Sequence, residues 1–175
     1  MEKSFYPTIR IVAVLAILGA AAYAVSPRSQ TISDTARNDG IVNVAKGDPD
    51  MAAAFARARG SLPQFFALAK DPPASMSGFS VKIGVRDGGQ TEFFWIMPFE
   101  RKDEKFSGQI NNRPRTVRNV TFGQTITFAE GEIVDWMYMD GDKMNGSYTT
   151  CAILKKEPRR DADAMIKRYG LACDF

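Results

Sequence analysis

Two carboxylates stand close to tryptophans in this chain: Glu92 lies three residues before Trp95, and Asp135 immediately precedes Trp136. Paired carboxylates near aromatic rings can hydrolyse a glycan, one as acid and the other as base or nucleophile, if their carboxyl groups come within about 5–10 Å. Little else could do chemistry. The chain has no histidine, which removes Ser-His-Asp and Cys-His arrangements, His-ligated zinc and the commonest general base near neutral pH. Cys151 and Cys173 are 22 residues apart and alone do not make a metal site. Asp87-Gly88-Gly89 leads into a strand pattern rather than a helix, so it is no phosphate-binding loop. Glu92 and Asp135 also suit strand-edge or turn positions. The expectation is a protein that is not an enzyme and needs no cofactor or metal, with a carboxylate-dependent glycan hydrolase as a minor alternative.

Without catalysis, the polar and aromatic residues near predicted turns become candidate contacts for a protein or a cell-envelope component. These are Glu92, Trp95, Asn111, Asp135, Trp136, Tyr138 and Tyr148. Each has a structural reading beside the functional one. Asn111 and Asn112 suit a turn, and Tyr138 and Tyr148 suit packing at the core edge. The alternative role is an immunity-like or stress-protective factor against an envelope toxin, which rests on analogy.

The start of the chain sets the expected compartment. Lys3 and Arg10 precede an uninterrupted apolar run from Ile11 to Val25, and Ser26-Pro27-Arg28 ends it. Fifteen residues span roughly 22 Å as a helix, short of the ~30 Å hydrocarbon core. That length fits the apolar part of a secretory signal peptide, and Ala22-Tyr23-Ala24 offers a small-x-small cleavage site after Ala24. An uncleaved anchor holding the domain at the membrane through residues 11–25 is the other reading. Both place the domain in the periplasm or on the outer face of the inner membrane. Two thiols in such an oxidising compartment usually pair, so a Cys151–Cys173 disulfide stapling the C-terminal helix to the sheet is expected, two buried free thiols being the alternative.

Charge is nearly balanced, with 23 Lys+Arg against 20 Asp+Glu. The signs alternate, as in Arg101-Lys102-Asp103-Glu104-Lys105, which describes a solvated surface and no nucleic-acid partner. Arg113, Arg115 and Arg118 form the densest basic patch. They suit an anionic partner or, more simply, an exposed strand.

The elements that must position these residues follow from period and punctuation. Residues 26–47 are a polar linker, and 48–175 form one domain large enough for a core. Asp48 caps a helix with Pro49 at its first position, and Met51, Phe55, Ala58 and Leu62 make its apolar face. Ser61 caps a second helix that ends at Asp71-Pro72-Pro73. Phe79, Val81, Ile83 and Val85 then alternate with polar or small residues, a half-buried strand that turns at Asp87-Gly88-Gly89-Gln90. Further strands are expected at 91–97, 105–111, 115–120, 125–128, 133–139 and 147–154, followed by a helix after Glu157-Pro158 that closes at Gly170. The layout is α+β: an N-terminal helix, a curled antiparallel sheet of six or seven strands, and a C-terminal helix.

An ordered set of segments carries a family resemblance. It comprises Phe79-Ser80-Val81-Lys82, Gly89-x-Thr91-Glu92-x-Phe94-Trp95, Phe106-Ser107-Gly108-x-Ile110-Asn111-Asn112-x-Pro114, Val117-x-x-Val120-x-x-Gly123-Gln124-x-Ile126-x-Phe128, Ile133-x-Asp135-Trp136-Met137-Tyr138 and Met144-x-Gly146-x-Tyr148-Thr149. Over roughly residues 50–155 the chain resembles the YegJ-like bacterial proteins, a domain family of unknown function. The resemblance implies a compact domain, preceded in some members by an export signal. It implies no reaction and no catalytic residues.

Overall fold

The computed structural model of the protein describes residues 47–175. The apolar run 11–25, the cleavage site at Ala24 and nearly all of the linker lie outside the described residues.

Helix α1 is Pro49–Gly60. Asp48 caps it as its sequence position predicts, its Oδ1 accepting from the amides of Asp50 at 3.0 Å and Met51 at 3.1 Å. Met51, Ala54 and Ala58 are its buried face. Helix α2, Leu62–Lys70, follows at once and buries Leu62 and Phe65. Ser61 does not cap it by side chain. Its hydroxyl donates backwards to the carbonyls of Arg57 at 2.8 Å and Ala58 at 3.1 Å, and accepts from Trp136 Nε1 at 3.1 Å. The hydroxyl is thereby committed to the helix–sheet contact.

Six antiparallel strands form one open sheet: β1 Met76–Asp87, β2 Gln90–Lys102, β3 Lys105–Ile110, β4 Thr125–Ala129, β5 Ile133–Asp140 and β6 Lys143–Gly146, in the order β4-β3-β2-β1-β5-β6. The core between helices and sheet is largely aromatic. Phe65 stacks on Trp136 at 5.0 Å, Phe66 on Phe106 at 5.0 Å and Phe106 on Phe128 at 5.6 Å.

Two expected strands are absent. Residues 115–120 belong to a loop whose amides are taken by side chains of β1 and β2 instead of by a ladder. Residues 148–154 form helix α3, Tyr148–Leu154, entered through Ser147 in the left-handed region at φ 54. The β-branched residues at its start are overruled because Asp135 receives the first helical amides, as described below. Helix α4, Arg159–Tyr169, ends at the left-handed Gly170. The chain then runs beside β6, with Met144 N donating to Gly170 O at 2.8 Å and Ala172 N to Met144 O at 3.0 Å. Cys151 and Cys173 are bonded, with Cα atoms 5.5 Å apart. Because Cys151 lies on α3, the bridge ties the C-terminal tail to that helix and not to the sheet.

Candidate functional site

Lys82 of β1 faces Trp95 of β2 on one side and Asp135 of β5 on the other, so the three share one rung of the sheet. Lys82 Nζ lies 4.3 Å from the centre of the Trp95 ring, a cation–π contact. It donates to Thr149 Oγ1 at 2.7 Å, and Thr149 Oγ1 donates to Asp135 Oδ2 at 2.5 Å. The hydroxyl thus links the Lys82 amine, from which it accepts, to the Asp135 carboxyl, to which it donates. Asp135 also accepts from the backbone amides of Trp136 at 2.9 Å, Tyr148 at 3.2 Å and Thr149 at 2.8 Å. The carboxylate therefore caps α3 from another strand. Burial lowers the Lys82 amine from its ordinary 10.5, and the Asp135 charge opposes that. Burial likewise raises Asp135 from 3.8, while Lys82, the Thr149 hydroxyl and the amides pull it back. Thr149 is only 3 % exposed, so its hydroxyl serves this internal link rather than an external reactant.

Glu92 is fully buried and holds a separate network. Its Oε1 accepts from Arg115 N at 2.8 Å, and its Oε2 from Thr116 N at 2.7 Å and Val117 N at 2.8 Å. The registers place Asp135 opposite Lys82 and Glu92 opposite Val85. Three residues along β1 is an odd step, so the two carboxylates project to opposite faces, their backbones about 14 Å apart. The structure does not bring them together as a hydrolytic pair would require.

The other predicted contact residues are mostly built into the fold. Trp136 is buried, its Nε1 donating to Ala58 O at 3.1 Å. Tyr138 stacks on Phe79 at 5.1 Å and on Trp136 at 5.8 Å, and Tyr148 meets the Trp136 ring edge-on at 5.4 Å. Burial raises the Tyr138 phenol above its ordinary 10.0, as does the charge of nearby Asp140. Asn111 is half-buried and donates its amide to Trp95 O at 2.8 Å, while Asn112 Oδ1 accepts from Trp95 N at 2.9 Å. Trp95 is half-buried beneath Lys82. Six of the seven are thus joined through Lys82, Asp135 and Trp136, while Glu92 belongs to the separate loop network.

A concavity of about 920 Å³ lies elsewhere, in a fork of the sheet. The β1–β2 ladder runs from Asp87↔Gln90 up to Val81↔Ile96. Beyond it β1 stays with β5, through Ser80↔Met137 and Ser77↔Met139, whereas β2 stays with β3 from Phe99↔Gly108 onward. Pro98 marks the divergence, since a residue without an N–H cannot donate to a ladder. Phe66, Phe79, Phe99 and Phe106 supply an aromatic lining, and Lys70, Glu100, Arg101 and Asp103 supply charge. Gly108 permits the approach of the Pro98–Phe99 segment: a Cβ there would lie 2.8 Å from Pro98 O and 2.9 Å from Phe99 Cβ. Sequence reasoning missed this site. Its one local signal was the Met97-Pro98-Phe99 interruption of a strand pattern.

Among the described residues no cluster of three or more His, Cys, Asp or Glu side chains could hold a metal ion, and no helix is long and apolar enough to cross a membrane.

Comparison with known proteins agrees with the motif resemblance. No solved structure matches the chain. The sequence is 34% identical over 134 residues to the uncharacterized protein YegJ of Escherichia coli (strain K12), covering 77% of this chain and 83% of that protein. Residues 48–172 match the model of a family described as uncharacterized protein conserved in bacteria. The chain belongs to that bacterial family, DUF2314.

Proposed function

We propose that this protein is an exported or membrane-tethered, non-catalytic binding domain whose contact surface is the fork between β1 and β2. The occupant is an extended segment of a protein partner carrying apolar side chains between charged ones. The observation that carries the reading is the groove of about 920 Å³ where two strands part. A fork presents strand edges to an extended chain, which can add main-chain hydrogen bonds while its side chains enter aromatic pockets. The lining is apolar within and charged outside, the usual anatomy of a protein-binding patch. The two carboxylates that might have been catalytic are instead saturated by internal donors. Export is supported by the apolar run Ile11–Val25 and by the Cys151–Cys173 pair.

A photo-crosslinking amino acid at Ala69 or Glu100, on the wall of the groove, should capture a defined protein in intact cells. Filling the groove with Ala69→Trp should abolish the adduct without loss of folding. Capture that survives Ala69→Trp, or adducts arising only from positions remote from the fork, would overturn the assignment. Export is tested separately: a reporter active only outside the cytoplasm, fused after Gly47, should be active, and a silent fusion refutes that part.

A further inference from the structure

We infer that the loop between β3 and β4, residues 111–124, docks the domain on an anionic phospholipid surface. Phe122 is 54% exposed, an apolar side chain the fold leaves in water. It sits at the tip of a tight turn, where Gln124 N donates to Thr121 O at 3.2 Å and Gly123 adopts φ +78. The Arg113 guanidinium lies 5.6 Å from the Phe122 ring centre. Arg115 and Arg118 are exposed on the same loop.

The loop is held in place by the body of the protein. Asn112 accepts from Trp95, Glu92 from three consecutive loop amides, and Asp87 from Arg118 N at 2.8 Å; Asn119 Nδ2 donates to Arg86 O at 2.8 Å. These anchors follow β2 from Trp95 back to the β1–β2 turn, which spreads the arginines over about 16 Å. A single small anion would need guanidiniums gathered around one point. A strip of this length beside a projecting phenyl ring fits a plane of phosphates with hydrocarbon beneath it. Guanidiniums pair with phosphate oxygens, and the ring enters the interface. An acidic protein would satisfy the charges, but the exposed ring would then need an apolar pocket as well. Because the loop is already ordered, docking orders few new groups.

The test uses the full chain bearing Thr121→Cys labelled with an environment-sensitive dye, since the native cysteines are bonded to each other. Emission should shift to the blue and brighten with phosphatidylglycerol-rich vesicles and not with pure phosphatidylcholine vesicles. The neutral vesicles control for any insertion of residues 11–25, and the readout is independent of the groove. Arg113→Gln and Arg118→Gln should each weaken the response about fivefold. Phe122→Ser should remove the blue shift, with the circular dichroism and urea midpoint of each variant unchanged. Identical emission on both vesicle types overturns the inference. So does a response to polyglutamate without a response to vesicles, which would assign the loop to an acidic protein.

Discussion

Lys82 and Asp135 face each other across β1 and β5, and the Thr149 hydroxyl joins them, 2.7 Å from Lys82 Nζ and 2.5 Å from Asp135 Oδ2. The same Asp135 carboxyl accepts from the first amides of α3, so this pair at the centre of the sheet also fixes where the chain leaves β6 and becomes α3. Removing Asp135 should cost more than the pair contributes, because the buried amide of Thr149 and its hydroxyl then lose their acceptor while Lys82 loses its opposite charge.

Asp135→Ala should therefore lower the unfolding free energy by about 3–5 kcal/mol. Thr149→Val, which keeps shape and loses the hydroxyl, should lower it by about 1–3 kcal/mol. Urea unfolding measures both. A smaller loss for Asp135→Ala than for Thr149→Val would contradict the capping role of the carboxylate.

The same pair sets a pH dependence. Lys82 is lowered from 10.5 in the folded state, so as the pH climbs toward that value the unfolded chain holds more protons and its titration adds stability. Asp135 is raised from 3.8, so its contribution to stability is fully present below that pH and is lost as the pH rises through the folded value. Wild type should gain stability relative to Lys82→Met on going from neutral pH toward 10.5 at constant ionic strength. A difference that stays flat over that window would show that the amine is not drawn out of water.

Glu92 makes its own prediction. Three consecutive loop amides donate to its carboxylate. Glu92→Ala should destabilise the fold by about 3 kcal/mol, since buried donors are left without an acceptor. The amides of Thr116 and Val117 should lose hydrogen-exchange protection first. Global unfolding with no local change at these amides would mean that the loop is held by something else.

Much of the fold was legible in short stretches. Asp48-Pro49 marked the start of α1, the alternation around Val81 and Ile83 marked β1, and Asp87-Gly88-Gly89-Gln90 marked its turn. These signals work because period and capping depend on neighbours in sequence. The candidate site was far less legible. Glu92 and Asp135 looked like a pair because both precede tryptophan closely or directly, yet the register turns them to opposite faces.

The sequence by itself determined the two leading helices, the strands β1 to β5, the family, and two cysteines available for pairing, whereas β6 at Lys143–Gly146 had no counterpart among the expected strands. Only the tertiary structure decided that residues 148–154 are a helix, that 115–120 are a loop, and that β1 and β2 part to leave a groove. The physical reason is common to all three. Each depends on which distant side chain or strand receives a backbone amide, and that is set by the register of the assembled sheet.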